Sequence, residues 1–369
     1  MSNQRALVLN SKAEPLSLET VPIPTAGPGS VVVRILGTSV LPYLRSILDG
    51  SLPYPMALPI IPGGSSIGRV ESAGPDTVSL EPGQLVYCDI TVRARDNPDM
   101  AILMGLHGGP SMKLMLGEWR NGTFAEYAKF PTENVFALDE SILCGKFGYN
   151  TDDLCAISSS LVPFGGLSDI NLLPGETVIV APATGRFGGS AVMVALAMGA
   201  TVVACGRNED ALTAFRKTYG HTEKLATVVL TGKLETDTQA MVAASGNGGK
   251  GADAYIDFSP NAAANSTHIA AAMAALKPFG RAAFMGGIFG NIQINYISLM
   301  MKSLRIQGRF MYDREMVVRM IKMIEKGNLK MGGDAGVRTI GKYGLDRIDE
   351  AMEIAKNETG WGRQVLLIP

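Results

Sequence analysis

A glycine-rich turn at residues 183–189 has the spacing in this sequence that most clearly predicts chemistry. Gly185 and Gly188 occupy the second and third glycine positions of a GxGxxG pattern, and Ala183 stands at the first. Glycine at the second position lets the backbone approach a phosphate, and glycine at the third lets the next helix pack closely against a strand. The turn therefore predicts a dinucleotide whose diphosphate lies against a helix N-terminus, with a purely structural tight turn as the alternative.

The residues beyond the turn predict which dinucleotide is bound. A site for NAD usually has an acidic residue about 20 residues past the glycines, where it binds the ribose 2′-hydroxyl. Gly206 stands near that position here, and Arg207 follows it. A guanidinium can hold a 2′-phosphate with two charge-assisted hydrogen bonds, whereas a carboxylate would repel it. We therefore expect NADPH, with a solvated loop charge as the alternative role of Arg207.

The flanking sequence predicts the elements that position the turn. Residues 177–181 and 201–205 are short apolar runs typical of buried strands, and residues 190–198 favour a helix between them. Further strands, alternating with helical stretches, are predicted at 226–230, 251–259 and 280–287. This alternation predicts a parallel sheet with helices on both faces and ligands at the carboxyl ends of its strands. The predicted cofactor-binding residues are Thr184, Gly185, Arg186, Phe187, Gly188, Arg207, Asn208, Ser259, Gly286, Gly287 and Ile288.

Composition narrows the choice of partners. The chain has 369 residues, of which 46% are hydrophobic and 18% charged, and this indicates a globular protein long enough for two domains. The balance of 33 basic and 34 acidic residues, without a basic stripe, argues against nucleic acid as a partner. Gly199 divides the uncharged stretch 189–206 into halves that fit a helix and a strand, so we expect no membrane span.

The four cysteines are dispersed and form no CxxC pair; they are Cys88, Cys144, Cys155 and Cys205. Such spacing predicts free thiols in a reducing compartment rather than a disulfide framework. The N-terminal residues also lack an apolar signal core. We therefore expect a cytoplasmic protein that acts on a small molecule.

The N-terminal part of the chain resembles a known family. The segment IPGGSSIGRVESAGPDTVSLEPGQLV is similar to the IPGHExAGxVxxVGxxVxxxxxGDxV stretch of the medium-chain dehydrogenase/reductase superfamily, and GTFAEY resembles its GxxAEY element. The resemblance covers nearly the whole chain. It implies an α/β fold with a GroES-like, β-rich catalytic domain, expected at 1–150 and 300–369. A doubly wound, parallel-sheet Rossmann domain that binds NADPH is expected at 151–299.

Zinc enzymes of this family carry metal ligands at positions that hold other residues here. The resemblance places Ser39 at the cysteine position, Gly64 at the histidine position and Ser65 at the adjoining glutamate. Residues 156–160, near the place of a third ligand, read AISSS. The three histidines, His107, His221 and His268, are not paired at ligand spacing. Because catalytic zinc needs three protein ligands, we expect no metal.

Three polar residues are candidates for chemistry without a metal, which requires hydrogen-bond donors or a proton source at the substrate oxygen. Tyr54 falls where quinone reductases of the family often carry a tyrosine near the nicotinamide. Ser39 replaces a polar family residue, and His107 lies close to glycines in an inserted segment. We predict these as the catalytic residues. A packing tyrosine, a turn serine and a solvated histidine are the alternatives, and Tyr43 is a weaker candidate of the same kind as Tyr54.

The inserted segment, residues 91–121, mixes Met, Gly, Pro and Trp and predicts an ordered loop or lid. It could line a substrate cleft through Met112, Met115 and Trp119, or it could only pack on its domain. Arg45 could bind an anionic substrate, although a structural ion pair is the more usual role of such an arginine.

Together these features predict an NADPH-dependent, zinc-independent reductase that transfers hydride to a quinone, an enone or an aldehyde or ketone. The alternative is a catalytically silent NADPH-binding sensor or scaffold, because a fold can keep its cofactor and lose its chemistry. Residues 288–300 are apolar enough to hide an edge strand, so a homodimer is also expected.

Overall fold

The structure is a computed structural model that describes residues 2–369. Its strands are β1 (Asn3–Val8), β2 (Ser17–Pro22), β3 (Ser30–Ser39), β4 (Ser66–Ala73), β5 (Leu85–Cys88), β6 (Thr91–Arg93), β7 (Ala101–Leu103), β8 (Tyr127–Pro131), β9 (Val135–Ala137), β10 (Thr177–Val180), β11 (Thr201–Gly206), β12 (Leu225–Val229), β13 (Ala252–Asp257), β14 (Leu276–Phe284), β15 (Arg305–Gly308), β16 (Arg338–Tyr343) and β17 (Arg363–Leu367).

The α-helices are α1 (Leu44–Leu48), α2 (Met112–Leu116), α3 (Thr151–Cys155), α4 (Ile157–Asp169), α5 (Arg186–Ala197), α6 (Glu209–Tyr219), α7 (Leu234–Ala244), α8 (His268–Ala274), α9 (Tyr296–Met301), α10 (Arg314–Glu325) and α11 (Ile348–Asn357). Together, these elements confirm the expected α/β fold, with a β-rich domain and a second domain built on a doubly wound parallel sheet.

The parallel sheet has six strands in the order β12-β11-β10-β13-β14-β15. β10 has a parallel neighbour on each side, with Ile179 opposite Val203 of β11 and Tyr255 of β13. β10 is buried along its whole length, as expected for a central strand with helices on both faces. The strand order reverses between β10 and β13, and in such sheets this reversal opens a crevice at the carboxyl ends of the strands.

The last strands of this sheet differ from the sequence prediction. β14 begins and ends earlier than the expected 280–287, and β15 continues the sheet to Gly308, past the domain boundary expected at residue 299. Residues 288–300 form an irregular stretch and most of α9 rather than an edge strand. The reason is local, because the Asn295 side chain accepts the Ser298 N–H at 3.0 Å and starts a helix there.

The second sheet belongs to the β-rich domain and has seven strands. Its order is β16-β17-β3-β4-β5-β9, and β8 pairs with the N-terminal half of β3. β17 lies near the C-terminus of the chain and runs antiparallel to the end of β3, with Leu366 opposite Ser39. The last strand of the chain therefore fixes the backbone of Ser39.

The C-terminal segment also joins the β-rich domain to the glycine turn. The Trp361 N–H donates to the Thr184 carbonyl at 3.0 Å, and Gly360 forms a bridge with Gly185. The Trp361 ring stacks on Phe215 of α6, with ring centroids 4.1 Å apart. The two domains thus meet directly beside the turn.

The uncharged stretch 189–206 forms most of α5 and the whole of β11. No helix within residues 2–369 is long and apolar enough to cross a membrane.

Candidate functional site

A cavity of about 470 Å³ lies between the two domains, at the carboxyl ends of β10 and β13. The β-rich domain contributes Ser39, Tyr54 and Ser65 to its wall, and the parallel-sheet domain contributes Arg186 and Phe187. Most of the remaining wall is apolar: Leu41, Leu52, Ile90, Leu103, Leu106, Val162, Phe258, Met285, Phe289, Phe310 and Met311. A few polar groups in an apolar wall are typical of a site for a small organic molecule.

The glycine turn at one end of the cavity fits a dinucleotide diphosphate. A Cβ atom on Gly188 would lie 2.0 Å from the Pro182 carbonyl oxygen, so only glycine lets α5 start this close to β10. A Cβ on Gly185 would meet nothing within 4 Å, so that side of the turn is open. The first helical bond runs from the Gly189 N–H to the Gly185 carbonyl at 2.8 Å. The N–H groups of residues 186–188 therefore have no backbone partner in the described chain and can bind an anion.

Two aromatic rings form part of the wall beside this turn. Phe187, from the first turn of α5, stacks on Phe258, which follows β13; their ring centroids are 6.2 Å apart. Both rings line the cavity at the reversal of strand order. Phe187 is among the residues predicted from the sequence, whereas Phe258 is not, because its position depends on the pairing of β13 with β10.

Ser259 lines the cavity, but its hydroxyl belongs to a buried network behind the wall. Its Oγ donates to the Asp257 carboxylate at 2.5 Å and lies 2.7 Å from Nε2 of His268. The Tyr255 hydroxyl also donates to Asp257, at 2.9 Å, and the Ser259 carbonyl accepts the Gly287 N–H at 2.8 Å. The Ser259 N–H donates to Asp257 as well, at 3.1 Å, so its hydroxyl and both of its backbone groups hold the wall segment in place.

The loop after β14 packs against this segment. A Cβ on Gly286 would lie 2.5 Å from the Ser259 carbonyl oxygen, whereas a Cβ on Gly287 would meet nothing within 4 Å. Both glycines line the cavity. Ile288 is outside the wall and packs with the core on the other side of the sheet.

Arg207 and Asn208 directly follow β11, whose last residue, Gly206, contacts Thr184 of the glycine turn. Arg207 is exposed and has no acidic partner among residues 2–369. Asn208 is the N-cap of α6, because its side chain accepts the Ala211 N–H at 3.1 Å. The cap engages only the Oδ1 of Asn208, so its side-chain N–H groups and its backbone remain for the predicted contact with the cofactor. Thr184 packs on Gly206, where a Cβ would lie 2.6 Å from the threonine methyl group.

The guanidinium of Arg186 faces the cavity without a carboxylate partner in the described part of the chain. Its Nη1 donates a long bond of 3.4 Å to the Val40 carbonyl. Loss of water lowers the pKa of Arg186, yet arginine remains charged at any ordinary pH. Arg45, the other arginine considered as a substrate-binding residue, forms a surface ion pair with Asp349 at 3.2 Å. It therefore fits the structural ion-pair role rather than the binding of an anionic substrate.

Ser39 and Tyr54, two of the predicted catalytic residues, line the same cavity. The Ser39 Oγ is buried and has no hydrogen-bond partner within the described residues, so it can bond to a ligand. Burial raises the pKa of Tyr54, so its hydroxyl keeps its proton and can donate at neutral pH. Tyr43 lines the cavity as well, and loss of water raises its pKa in the same way.

His107, the third predicted catalytic residue, lies behind Tyr54 and is not part of the wall. The two rings meet edge to face, with centroids 4.6 Å apart. The Nδ1 of His107 accepts the Gly109 N–H at 2.8 Å, so the neutral ring carries its proton on Nε2. Partial burial lowers the pKa of His107. His107 therefore packs against Tyr54 and has no direct contact with the cavity.

The segment 91–121 forms the hairpin of β6 and β7 and the helix α2, and it contributes Leu103 and Leu106 to the wall. The side chains expected to line the cleft pack instead into the core of the β-rich domain: Met112, Met115 and Trp119. That core is apolar on all sides, so burial there is more favourable than exposure in the cleft.

The positions that replace the zinc ligands form a corner of the cavity lined by hydroxyl groups. The hydroxyl groups belong to Ser39, Ser65 and Ser158, and Gly64 lines the same corner with its backbone. Cys155 is buried outside this wall, and burial raises its pKa to about 12. Zinc binds thiolates, imidazoles and carboxylates rather than hydroxyls. No group of at least three such residues within 2–369 could hold a metal ion, so the donor set does not fit zinc.

Two residues that the sequence reasoning missed stand behind Ser65. Asp89 and Tyr312 are 223 positions apart, and the Tyr312 hydroxyl donates to Oδ1 of Asp89 at 2.8 Å. Tyr312 lines the cavity, and both side chains are buried. The sequence signal that could have identified Asp89 is its position as an acidic residue directly after the apolar strand LVYC.

Comparison with known families matches both domains. The model of the alcohol dehydrogenase GroES-like domain matches residues 27–140, and the model of the zinc-binding dehydrogenases matches residues 187–326.

Individual relatives agree with this assignment. An alcohol dehydrogenase of Rhizobium meliloti (strain 1021) is 28% identical over 219 residues, which cover 58% of this chain and 60% of that protein. The chain thus spans less than two thirds of that relative. An L-threonine 3-dehydrogenase of Pyrococcus abyssi is 24% identical over 368 residues, 96% of this chain and 97% of that protein. A solved zinc-binding dehydrogenase of Sinorhizobium meliloti 1021 bound to NADP has a TM-score of 0.77 at 20% identity and covers all of both chains.

We expect His107 to stay neutral to a pH below about 6.5, the ordinary pKa of histidine, because its burial disfavours the imidazolium. An NMR titration of the imidazole signals, assigned with the His107→Gln variant, measures this pKa. Because folding lowers the pKa of His107, this residue contributes its full share of the folding free energy above the pKa of the unfolded chain. That contribution is lost as the pH falls through the lower pKa of the folded chain. A midpoint at or above the ordinary value would contradict the burial argument.

Proposed function

Since the chain belongs to the medium-chain dehydrogenase/reductase superfamily, we propose that it is an oxidoreductase that transfers hydride from NADPH to a small organic substrate without zinc. The substrate is a quinone, an enone or an aldehyde or ketone. The observation that carries the proposal is the cavity itself, because residues of the open glycine turn and a corner of hydroxyl groups line the same largely apolar space.

The turn and its surroundings supply what a nicotinamide dinucleotide needs. The free N–H groups of residues 186–188 and the charge of Arg186 would hold its diphosphate. The rings of Phe187 and Phe258 would pack against its nicotinamide end. When bound, the reduced cofactor supplies the hydride, and these residues orient it.

Arg207 favours NADPH over NADH. It is exposed directly after β11 and has no acidic partner in the part of the chain that the structure describes. Asn208 and Glu209 follow it, and the Asn208 side chain is engaged as the cap of α6. The Arg207 guanidinium is therefore free to bind a 2′-phosphate.

The substrate end of the cavity supports reduction without a metal. Its apolar side chains exclude water, so each hydrogen bond to the substrate oxygen is stronger than it would be in water. The unpartnered hydroxyl of Ser39 and the protonated hydroxyl of Tyr54 are donors that can stabilise negative charge on that oxygen. They take the role that zinc has in the metal-dependent enzymes.

Turnover tests this proposal directly. We expect the near-ultraviolet absorbance of NADPH to fall when the protein is mixed with a panel of quinones, enones and aldehydes, and to fall equally fast after treatment with a chelator. Tight binding of NADPH without turnover of any panel member would favour the silent sensor or scaffold. Loss of activity on chelation, restored by zinc, would contradict the metal-free mechanism.

The cofactor preference gives a second prediction. NADPH should bind at least roughly tenfold more tightly than NADH, a difference of about 1.4 kcal/mol. The Arg207→Glu variant should abolish or reverse that preference, because a carboxylate repels the 2′-phosphate. Fluorescence titration of both cofactors measures it, and Arg338→Glu, the same charge change on exposed β16, is the control. Equal affinities in the unaltered protein would contradict the assignment.

The free edge of the parallel sheet leads us to propose a homodimer. All residues of β15 are exposed, and the backbone groups on its outer side have no strand partner within residues 2–369. Exposed large apolar side chains lie on β15, on the neighbouring strand β14 and on α9, which precedes β15: Phe279, Tyr296, Ile297, Met300, Met301 and Ile306. An unprotected edge strand beside an apolar patch favours pairing with another strand. A second copy of the chain offers the same strand and the same patch, so a two-fold dimer covers both at once.

Sedimentation velocity at micromolar concentration should therefore give a dimer. The Met301→Glu variant, which places a charge in the apolar patch, should give a monomer. Val78→Glu is the control, because Val78 is 97% exposed in the other domain. A monomeric unaltered protein would end the proposal.

A further inference from the structure

Helix α4 begins at the hydroxyl-lined corner of the cavity. Ser158 and Ser159, both in its first turn, line the cavity wall. Cys155, just before the helix, lies close to the end of β3, because a Cβ atom on Gly37 would be 3.1 Å from its Sγ. The first turn of α4 therefore lies beside the strand end that carries Ser39.

The backbone N–H groups of this first turn are free. The first bond of the helix runs from the Ser160 N–H to the Ala156 carbonyl at 3.3 Å, so the N–H groups of residues 157–159 have no backbone partner within residues 2–369. Ala156, at the N-cap position, has no side-chain oxygen that could accept one of them. Free N–H groups at the start of a helix give that end a partial positive charge, which favours a bound anion.

The Ser39 hydroxyl independently indicates a ligand at the same corner. Ser39 is 6% exposed and lines the cavity, yet its Oγ has no hydrogen-bond partner among the described residues. The other two hydroxyls of the corner have protein acceptors: Ser65 donates to Asp89 at 3.4 Å, and Ser158 donates to the Cys155 carbonyl at 3.2 Å. A buried hydroxyl without a partner is unfavourable, so an acceptor atom of a ligand would complete the bonding of Ser39.

The charged side chains of the wall suit a negatively charged ligand. Arg186 and Arg309 line the cavity, and no Asp or Glu within residues 2–369 does so. Arg309 is neutralised by Asp313, 2.6 Å away. Arg186 reaches toward the corner, because its Nη1 donates to the carbonyl of Val40, the residue after Ser39. The electrostatic environment of the corner therefore favours negative charge on a substrate atom.

We propose that the N-terminus of α4 is the oxyanion site of the enzyme, where the free N–H groups of residues 157–159 and the Ser39 hydroxyl hold the substrate oxygen. This site rests on the proposed reductase function. Reduction of an aldehyde adds the hydride of NADPH, with its electron pair, to the carbonyl carbon, and the π pair of the C=O bond moves to oxygen. The resulting alkoxide then takes a proton from water, and NADP⁺ is the oxidised product. Donors that are already in place stabilise the charge on that oxygen without reorganisation.

A charge placed in the first turn of α4 tests the site. Ser158→Asp should lower kcat at least roughly 100-fold relative to Ser158→Asn, which has the same shape without the charge, because loss of one oxyanion donor costs that much. The assay uses the fastest substrate of the panel at mildly alkaline pH, where the new carboxyl group is ionised. Thermal unfolding should show no loss of stability, because a carboxylate is favourable at a helix N-terminus.

Thr236→Asp is the matched control for this variant. It makes the same kind of charge change in the first turn of α7, where Thr236 is exposed and far from the cavity wall. We expect it to leave kcat unchanged. A purely structural role of the α4 turn would lower kcat together with the unfolding temperature, and to the same extent in Ser158→Asn.

A second measurement requires no turnover and uses 4-nitrophenol as the probe. Bound to the complex with NADPH, whose nicotinamide is uncharged, this phenol should ionise with a pKa lower than in water by about one, a tenfold preference for the phenolate. The apolar wall alone would raise that pKa, so a lower value reports the donors of the corner. Ser39→Ala should weaken the preference without lowering the unfolding temperature, because the hydroxyl that it removes has no protein partner.

The two measurements separate the oxyanion site from the proposed function. Equal kcat in Ser158→Asp and Ser158→Asn, or a phenol that fails to bind or ionises as in water, would overturn the site while the proposed function stands. If Ser158→Asp does not fold, the phenol titration of the unaltered protein and of Ser39→Ala decides. Failure of the unaltered protein to reduce any panel substrate, with the phenolate preference present, would overturn the proposed function instead.

Discussion

The candidate site depends on how closely α5 approaches the end of β10. At Gly188 the Pro182 carbonyl oxygen leaves no room for a Cβ atom, so the helix N-terminus lies directly at the carboxyl edge of the sheet. The free N–H groups of residues 186–188 and the ring of Phe187 take their positions from this contact. Trp361 holds the same turn from the other domain, through its bond to the Thr184 carbonyl. One turn therefore anchors both the cofactor side and the substrate side of the cavity.

The β-rich domain adds a wall in which hydroxyl groups replace metal ligands. A buried hydroxyl without a partner costs about 1–3 kcal/mol, so the unpartnered Ser39 is unfavourable unless a ligand bonds to it. Behind the wall, Asp89, Tyr312 and Ser65 are joined by hydrogen bonds. The cavity therefore combines an apolar lining with polar groups that are held in place before any ligand arrives, which is the arrangement that stabilises developing charge most effectively.

The sequence predicted the parts of the molecule that depend on local spacing. The glycine turn, its flanking strands and the helix between them follow from steric limits and apolar periodicity within about 30 residues, and the structure has all of them. Ser39 and Tyr54 were also found, through the family resemblance, and both line the cavity. Their catalytic roles remain predictions, as do those of the cofactor-binding residues.

The parts that escaped prediction depend on distant segments or on the direction of a side chain. Asp89 and Tyr312 meet across 223 positions, and nothing in either local sequence indicates the contact. His107 has the right residue type, but a backbone bond to Gly109 and packing on Tyr54 turn it away from the cavity. The end of the parallel sheet was misjudged because Asn295 starts a helix within a stretch whose composition suggested a strand.

A crystal structure with bound NADPH tests the central claim most directly. We expect a diphosphate on the N–H groups of residues 186–188, a 2′-phosphate at Arg207 and a nicotinamide in the cavity between Phe187 and the hydroxyl-lined corner. A dinucleotide bound away from the Ala183–Gly189 turn, or a tetrahedral metal ion held between the domains, would contradict it.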